Sequence, residues 1–315
     1  MRLVRGLHNA HPEPQGAVVT IGNFDGLHRG HQALIWRARE QAQMLGSSTI
    51  VLSFEPTSRE YFCPDRAPGR VDTLRGKRRA LEALGVDALV LQRFGRRFAE
   101  WAADDFVHDG LVGHLGMRGL VVGDDFRFGA QRAGDLDLLH DLGDRHGFFV
   151  ESVPGVEVEG RRCSSTALRT ALARPDLDLA ARLLGRSYTM TGRVRHGLQL
   201  GRKLGMPTAN IVLRRAPALR LGVYAVLARV VGGAQAPRWS GVANLGVRPT
   251  LGLRQCLLET HLLDAAPDLY GAELEVEFQA FLRPEQRFDS VALLAAQMQQ
   301  DKQAALAFFR SATDN

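Results

Sequence analysis

Gly22-Asn-Phe-Asp-Gly-Leu-His-Arg-Gly-His31 follows a short apolar run, Ala17-Val-Val-Thr-Ile21, and leads into the segment Gln32–Leu45. In that segment Leu34, Ala38, Ala42 and Leu45 recur at helical spacing, so the context reads strand, glycine-punctuated turn, helix. A turn feeding a helix N-terminus presents unpaired backbone N–H groups and the positive end of the helix dipole, and anions bind there. Gly22, Gly26 and Gly30 have no Cβ to hinder close approach of backbone and ligand. His28 and His31 add two polarisable donors, and the stretch reads as a nucleotide-phosphate site. Two histidines at this spacing also suit a metal. A zinc site, however, needs a third or fourth protein ligand, and no other His, Cys or Glu lies at suggestive spacing. His8 and His11 fall in a leader that reads as irregular.

Working outward, apolar runs at Ala17–Ile21, Thr49–Phe54, Ala88–Leu91, Gly119–Val122 and Phe148–Val153 alternate with helical patterns near 31–45, 73–84, 104–115 and 135–146. That alternation predicts a parallel sheet with crossover helices. Ligands of such sheets bind outside the carboxyl ends of the strands. Residues 22–31, Phe54-Glu-Pro56 and Gly123-Asp-Asp-Phe-Arg-Phe-Gly129 all fall at such ends, which predicts one shared pocket.

The chain has 315 residues, long for a single core, so two domains are expected. Its 45% hydrophobic and 23% charged residues are ordinary for a folded soluble protein. Cys63, Cys163 and Cys256 form no Cys-x-x-Cys pair, which argues against a disulfide framework or zinc cluster and predicts a reducing cytoplasm. The first residues lack the apolar run of a signal peptide, and no segment approaches the ~20 apolar residues that span a bilayer. The net charge of +6 suits anionic partners. The arginines are scattered, with no basic run interleaved with aromatics, so small phosphorylated ligands fit the balance and no nucleic-acid role is expected. No oligomeric state follows from these features.

Cys163-Ser-Ser-Thr-Ala-Leu-Arg169 places three hydroxyl residues before good helix formers, with Arg169 one turn in. Ser and Thr suit a plain N-cap. Paired with the first stretch they suit the far side of a triphosphate, where an arginine grips two oxygens at once. Together, Gly-x-Phe-Asp-Gly-x-His-x-Gly-His and Ser-Ser-Thr-x-x-Arg resemble the nucleotidyltransferases with a His-x-Gly-His signature. With Gly123–Gly129 added, the chain resembles the FMN adenylyltransferase module of bifunctional bacterial FAD synthetases. The resemblance implies adenylyl transfer from ATP to FMN, giving FAD and pyrophosphate, with a divalent metal. It implies that His28 and His31 contact the ATP phosphates and that Gly22, Asn23, Asp25 and Gly30 shape the adenylate pocket. Ser164, Ser165, Thr166 and Arg169 would hold the triphosphate tail. Phe54, Asp125, Phe126 and Phe128 would form the flavin side, since a flat apolar ring seeks aromatic walls; core packing is the competing explanation for the phenylalanines. Cys163 and Leu168 replace isoleucines frequent in the family.

Beyond Gly185-Arg-Ser187 the pattern changes. Tyr188–Val194, Val223–Val231, Ser240–Leu245, Cys256–Leu263 and Glu273–Phe281 read as strands, and Glu273-Leu-Glu-Val-Glu-Phe278 alternates strictly, as a half-buried antiparallel strand does. A small barrel or sandwich follows, closed by a helix near Ser290–Ser311. Gly192–Ile211 dominates this half. It is not a Walker A loop, because Leu204 follows Lys203. Gly197, Gly201 and Gly205 with Arg202 and Lys203 fit a phosphate-covering loop; a hairpin turn with solvated basic residues is the alternative.

Pro207-Thr-Ala-Asn210 resembles the riboflavin kinase signature, which implies that Thr208 and Asn210 help bind ATP and Mg²⁺. Met206 replaces a phenylalanine often seen there. Three further matches follow in the family's order: Gly241–Thr250, Glu259-Thr-His-Leu-Leu-Asp264 with Asp268-Leu-Tyr-Gly271, and Phe281-Leu-Arg-Pro-Glu285. The kinase reaction moves the γ-phosphoryl of ATP to the ribityl hydroxyl of riboflavin. An aliphatic alcohol is a weak nucleophile, so a carboxylate base is useful, and Glu259 matches the family's base. On a strand Leu257, Glu259, His261 and Leu263 share one face and Cys256, Leu258, Thr260 and Leu262 the other. The second, more apolar face is expected to be core, leaving Glu259 at a more polar surface. Arg283 is expected to meet flavin or phosphate.

The expected architecture is therefore an α/β nucleotidyltransferase domain with a Rossmann-like parallel sheet over 1–185 and a mainly antiparallel β-barrel kinase domain with a terminal helix over 186–315. The expected ligands are ATP, Mg²⁺, riboflavin, FMN and FAD. A cytidylyl- or pantetheine-type transferase would not need the second-half motifs. A binding regulator that had lost catalysis need not keep His28, His31, Arg169 and Glu259.

Overall fold

The computed structural model describes residues 1–197, 201, 204–232, 237–250 and 253–313, with 248–250, 253–255 and 312–313 described by backbone alone. The chain divides into two compact units, Met1–Pro68 with Lys77–Ser164, and Gly69–Gly76 with Ser165–Asn315.

In the first unit, strands β1 (Arg2–Arg5), β2 (Ala17–Ile21), β3 (Ser48–Phe54), β4 (Ala88–Gln92), β5 (Met117–Gly123) and β6 (Phe149–Val153) form a sheet in the order β1-β4-β3-β2-β5-β6, every pair parallel. β2 is buried along its whole length, because a parallel strand is covered on both faces. Ala17, Val19 and Ile21 join Leu120 and Val122 in one core cluster, while Val18 joins Ala38 and Ala42 of the helix Arg29–Leu45 in another. From β2 the chain steps outward through β3 to β4, then returns to the other side of β2 as β5. The order therefore reverses between β2 and β5, and in open sheets that point is where a crevice opens for ligand. A short antiparallel hairpin, β7 (Glu157–Val158) and β8 (Arg161–Arg162), follows β6.

Two expectations are corrected here. The leader is not wholly irregular: β1 pairs with Ala88–Leu91 of β4 as an edge strand. Its four residues, two apolar between two arginines, show no alternation and are too few to announce a strand, and the neighbouring ladder supplies the order. The helix expected over 104–115 is wound in two pitches, a turn at Ala103–Asp105 and a π-helix over Phe106–Gly113. Gly110 lies there against the Trp101 ring, which stands 3.2 Å from where a Cβ would sit.

In the second unit, β9 (Thr189–Arg195), β10 (Ala209–Leu213), β11 (Gly222–Val230), β12 (Arg238–Thr250), β13 (Leu253–Leu262) and β14 (Glu273–Pro284) close into a barrel in the order β10-β13-β12-β11-β14-β9, with β9 pairing back to β10. Every pair is antiparallel. Tyr224 fills the interior edge-on to Phe278, with ring centres 5.1 Å apart. The alternate residues Val223, Ala225 and Val242 face outward and pack with Ala305, Met298 and Leu306 of the terminal helix Val291–Thr313. This helix corrects the reading of β13. Its Leu258–Thr260 face is core, but His261 and Leu263 on the other face are buried too, because the helix covers that side. The loop expected about Gly197, Gly201 and Gly205 is flanked by strands: β9 runs through Arg195 and β10 begins at Ala209, which puts Asn210 on a strand.

Two candidate active sites

The first site lies at the carboxyl ends of β3, β2 and β5, which are neighbours in the sheet and are followed by Phe54-Glu-Pro56, Gly22–His31 and Gly123–Gly129. His28 is the N-cap of the helix Arg29–Leu45, and its Nδ1 accepts from the His31 backbone N–H at 3.4 Å. The two imidazoles stack with centres 3.7 Å apart, and His31 also meets Phe24 at 5.0 Å. Glycine at position 30 has a packing reason, since a Cβ there would stand 3.2 Å from the Cys163 carbonyl and from the His28 ring. Gly22 likewise faces the Phe24 ring at 3.2 Å. The Cys163–Ser164 stretch is thereby brought beside the histidine turn.

The turn is held in a costly backbone conformation. Phe24 (φ 44°) and Leu27 (φ 47°) occupy the left-handed region without being glycine, at about 1–2 kcal/mol each. Both side chains are fully buried with Ile35, Val51, Leu81 and Leu89, and full burial of such side chains contributes about 1.5–3 kcal/mol each. Packing therefore offsets the strain. Asp25 is fully buried and Asn23 exposed.

Phe54, Phe94 and Phe98 form an aromatic wall at the end of β3, with centres 5.3–5.7 Å apart. Phe126 and Phe128 stack nearly parallel at 5.7 Å. Phe128 is 7% exposed and belongs to the core, whereas Phe54 and Phe126 are half-buried and border it. Asp125 is exposed and bonded by Arg162, whose Nη2 also reaches Asp124. Ser165, Thr166 and Arg169 open the helix Ser165–Ala173 in the second unit, where Arg169 Nε donates to the Gly69 carbonyl at 3.0 Å.

The second site is a row around the barrel. Antiparallel register sets Arg195 opposite Asn210, Asn210 opposite Glu259, Glu259 opposite Asn244, Asn244 opposite Val223, and Val223 opposite Arg283. Neighbouring strands lie about 4.8 Å apart, so Asn210, Glu259 and Asn244 span roughly 10 Å on one face. Thr208 immediately precedes β10, and its carbonyl accepts from Asn210 Nδ2 at 3.2 Å. Asn210 Oδ1 is buried with no hydrogen-bond partner among the described residues. Gly197 lies over this amide, which a Cβ would meet at 2.8 Å, and a Cβ at Gly201 would meet the Met206 carbonyl at 2.4 Å. Arg202 and Lys203 lie outside the described residues. His196 stacks on Tyr270 at 3.8 Å, which ties the Asp268–Gly271 motif to the end of β9.

A cavity of about 190 Å³ opens beside this row, bordered by Thr208, Asn244, Glu259, His261, Arg283 and Asp301. Pockets for drug-sized ligands measure roughly 300–1,000 Å³, so this one has room for only part of such a ligand. Pro207, the remaining motif residue, accepts from His261 Nδ1 at 2.9 Å. Burial holds the His261 imidazole below its ordinary pKa, reinforced by Lys302 and opposed by the Pro207 bond. Arg283 is gripped by Asp301 through two 2.7 Å bonds, and Gln297 completes the cluster at 3.0 Å. The sequence reading left Asn244, His261 and Asp301 without roles. The first two sit within quoted motifs on the Glu259 face, and period-two alternation could have found them; Asp301 carries no local signal.

A family model described as FAD synthetase matches residues 10–167, and one described as riboflavin kinase matches residues 184–309. The chain is 49% identical to a bifunctional riboflavin kinase/FMN adenylyltransferase of Pseudomonas fluorescens, covering 98% of this chain and 97% of that one. It is 48% identical to the protein so described from Escherichia coli K12, with 98% of each covered. A crystal structure described as a macrolide-efflux protein from Streptococcus pneumoniae is similar in fold, with TM-score 0.77 and 28% identity over 97% of this chain and 99% of that one. Among the described residues of the present chain no helix is long and apolar enough to cross a membrane. Motif order, sheet, barrel and near full-length similarity agree: the chain belongs to the family of bifunctional riboflavin kinase/FMN adenylyltransferases, which phosphorylate riboflavin to FMN and adenylylate FMN to FAD with ATP.

Proposed function

We propose that the two activities are carried by the two constellations separately, with the functional boundary between residues 185 and 186. For adenylyl transfer, the FMN phosphate attacks the α-phosphorus of ATP and pyrophosphate leaves. No protein nucleophile is needed, and catalysis comes from alignment and stabilisation of phosphoryl charge. His28, His31 and the helix N-terminus take that charge, Gly22, Asn23, Asp25 and Gly30 shape the adenylate pocket, and Ser164, Ser165, Thr166 and Arg169 hold the triphosphate tail. Phe54, Asp125, Phe126 and Phe128 form the flavin side.

For phosphorylation, Glu259 takes the proton of the ribityl hydroxyl as its oxygen attacks the γ-phosphorus. Thr208 and Asn210 hold Mg²⁺, while Gly197, Gly201, Arg202, Lys203 and Pro207 line the ATP side and Arg283 the flavin end. Mg²⁺ takes few protein ligands beside substrate phosphates, hydroxyl and Asn amide oxygens serve among them in phosphoryl-transfer sites, and the orphaned Oδ1 of Asn210 is such an oxygen. When bound, Mg²⁺ neutralises charge on the transferred phosphoryl group. The observation that carries the assignment is the register of Asn210 against Glu259 beside the cavity. Cytoplasmic residence and purely small-molecule partners fit three cysteines that form no disulfide among the described residues, and arginines engaged with carboxylates, such as Arg37, Arg162, Arg229 and Arg283.

The test is a flavin assay resolving FMN from FAD while Mg²⁺ is titrated. Asn210→Ala is expected to raise the Mg²⁺ requirement of FMN formation and leave that of FAD formation alone. An equal shift in both steps would overturn the assignment.

A further inference from the structure

Lys77 stands in a basic stretch, Leu74-Arg-Gly-Lys-Arg-Arg79, that by composition belongs in solvent. Arg75 and Arg78 do lie exposed, but Lys77 is 2% exposed. An ammonium is costly to bury unless it is bonded. Lys77 Nζ donates to the Asn23 carbonyl at 2.7 Å and to Ser53 Oγ at 3.3 Å. The Ser53 hydroxyl, itself fully buried at the end of β3, donates to the same carbonyl at 3.1 Å. Two donors from different elements thus converge on one backbone oxygen of the histidine turn. The peptide is planar, so fixing that oxygen also fixes the Phe24 N–H, which points the opposite way, at the residue whose φ of 44° begins the left-handed excursion.

We propose that Lys77 is a positioning residue for adenylyl transfer, its buried ammonium holding the Asn23–Phe24 peptide in the orientation that the nucleotide requires. This rests on the reading of Gly22–His31 as the ATP site. Lysine suits the role because its compact point charge serves two oxygens at once, where a planar guanidinium would need more room. Packing of Phe24 and Leu27 supplies the energy of the strained turn, and Lys77 with Ser53 sets its aim.

The experiment uses the full chain carrying Lys77→Met, with ATP varied at saturating FMN and riboflavin phosphorylation measured on the same preparation. The expected result is a rise of about tenfold or more in the KM for ATP of FAD formation, with a smaller fall in kcat and FMN formation within about twofold. A merely structural role would reduce the folded fraction, lowering kcat at unchanged KM, and that result overturns the proposal, as does no change in either. Should Lys77→Met fail to fold, Ser53→Ala decides: a KM rise of about threefold to fivefold supports the proposal, and an unchanged KM overturns it. His28→Ala with His31→Ala is run alongside. Full FAD formation by that double variant would sink the ATP-site reading itself, whereas its inactivity beside an unchanged Lys77→Met sinks only the role of Lys77.

Discussion

The histidine turn and the barrel row, the two sites proposed for phosphate chemistry, are opposite constructions. In the first, ten consecutive residues build the centre, and the sheet contributes mainly the place where they sit. In the second, Asn210, Glu259 and Asn244 come from three strands, β10, β13 and β12, and register makes them neighbours. A contiguous turn depends on its own backbone, so its weak points are glycine, the left-handed residues and the groups that hold them. A row across strands depends on pairing and on what covers the face, so its weak points are the strand partners and the terminal helix.

Glu259→Ala breaks the comparison most sharply. FMN formation is expected to fall by roughly 10²–10⁴-fold, as for loss of a general base, while FAD formation from supplied FMN continues. His28→Ala with His31→Ala is expected to do the reverse, lowering FAD formation by about 10²-fold or more and sparing phosphorylation. Loss of both activities in either variant, with the circular dichroism spectrum intact, would end the claim of separate sites.

Asp301→Ala sharpens the contrast through stability. It leaves the Arg283 guanidinium, now 20% exposed, without its two bonds. A cost of about 1.5–3 kcal/mol is expected, as for hydrogen bonds to charged groups. Thermal unfolding should show it as a lowered melting temperature, with phosphorylation losing heat resistance before adenylylation does. Equal heat resistance of the two activities would count against a covering role for the terminal helix.

The smallest expected effect concerns pH. The folded state holds His261 neutral below its ordinary value of 6.5, so on acidification the unfolded chain takes up the proton first. The stability this contributes is present above about pH 6.5 and is lost as the pH falls through the folded value. His261→Gln should therefore flatten the decline in stability between about pH 7 and 5, measured by denaturant unfolding. An identical decline in the variant would remove His261 as the cause.

Much of this was legible in the residues. β2 and its turn, the helix after them, and the alternation of Glu273–Phe278 announce themselves by periodicity, because those signals are local. β1 was not legible, since four residues with two arginines become a strand only when β4 is there to pair with them. The strand character of Asn210 was hidden behind a glycine-rich, basic segment that reads as a loop. Lys77 was hidden by its arginine neighbours, for nothing in Leu74–Arg79 says which basic side chain turns inward.

The sequence by itself determined the alternation of elements, the strand–turn–helix context of Gly22–His31 and the chemical groups available in each half. Tertiary structure alone decided that β5 returns beside β2, that the terminal helix packs over the Glu259 face, and that Asp301 meets Arg283. The physical reason is range. Periodicity and turn chemistry act over a few residues, whereas register, coverage and the burial of a charge depend on partners that only the folded chain brings within hydrogen-bond distance.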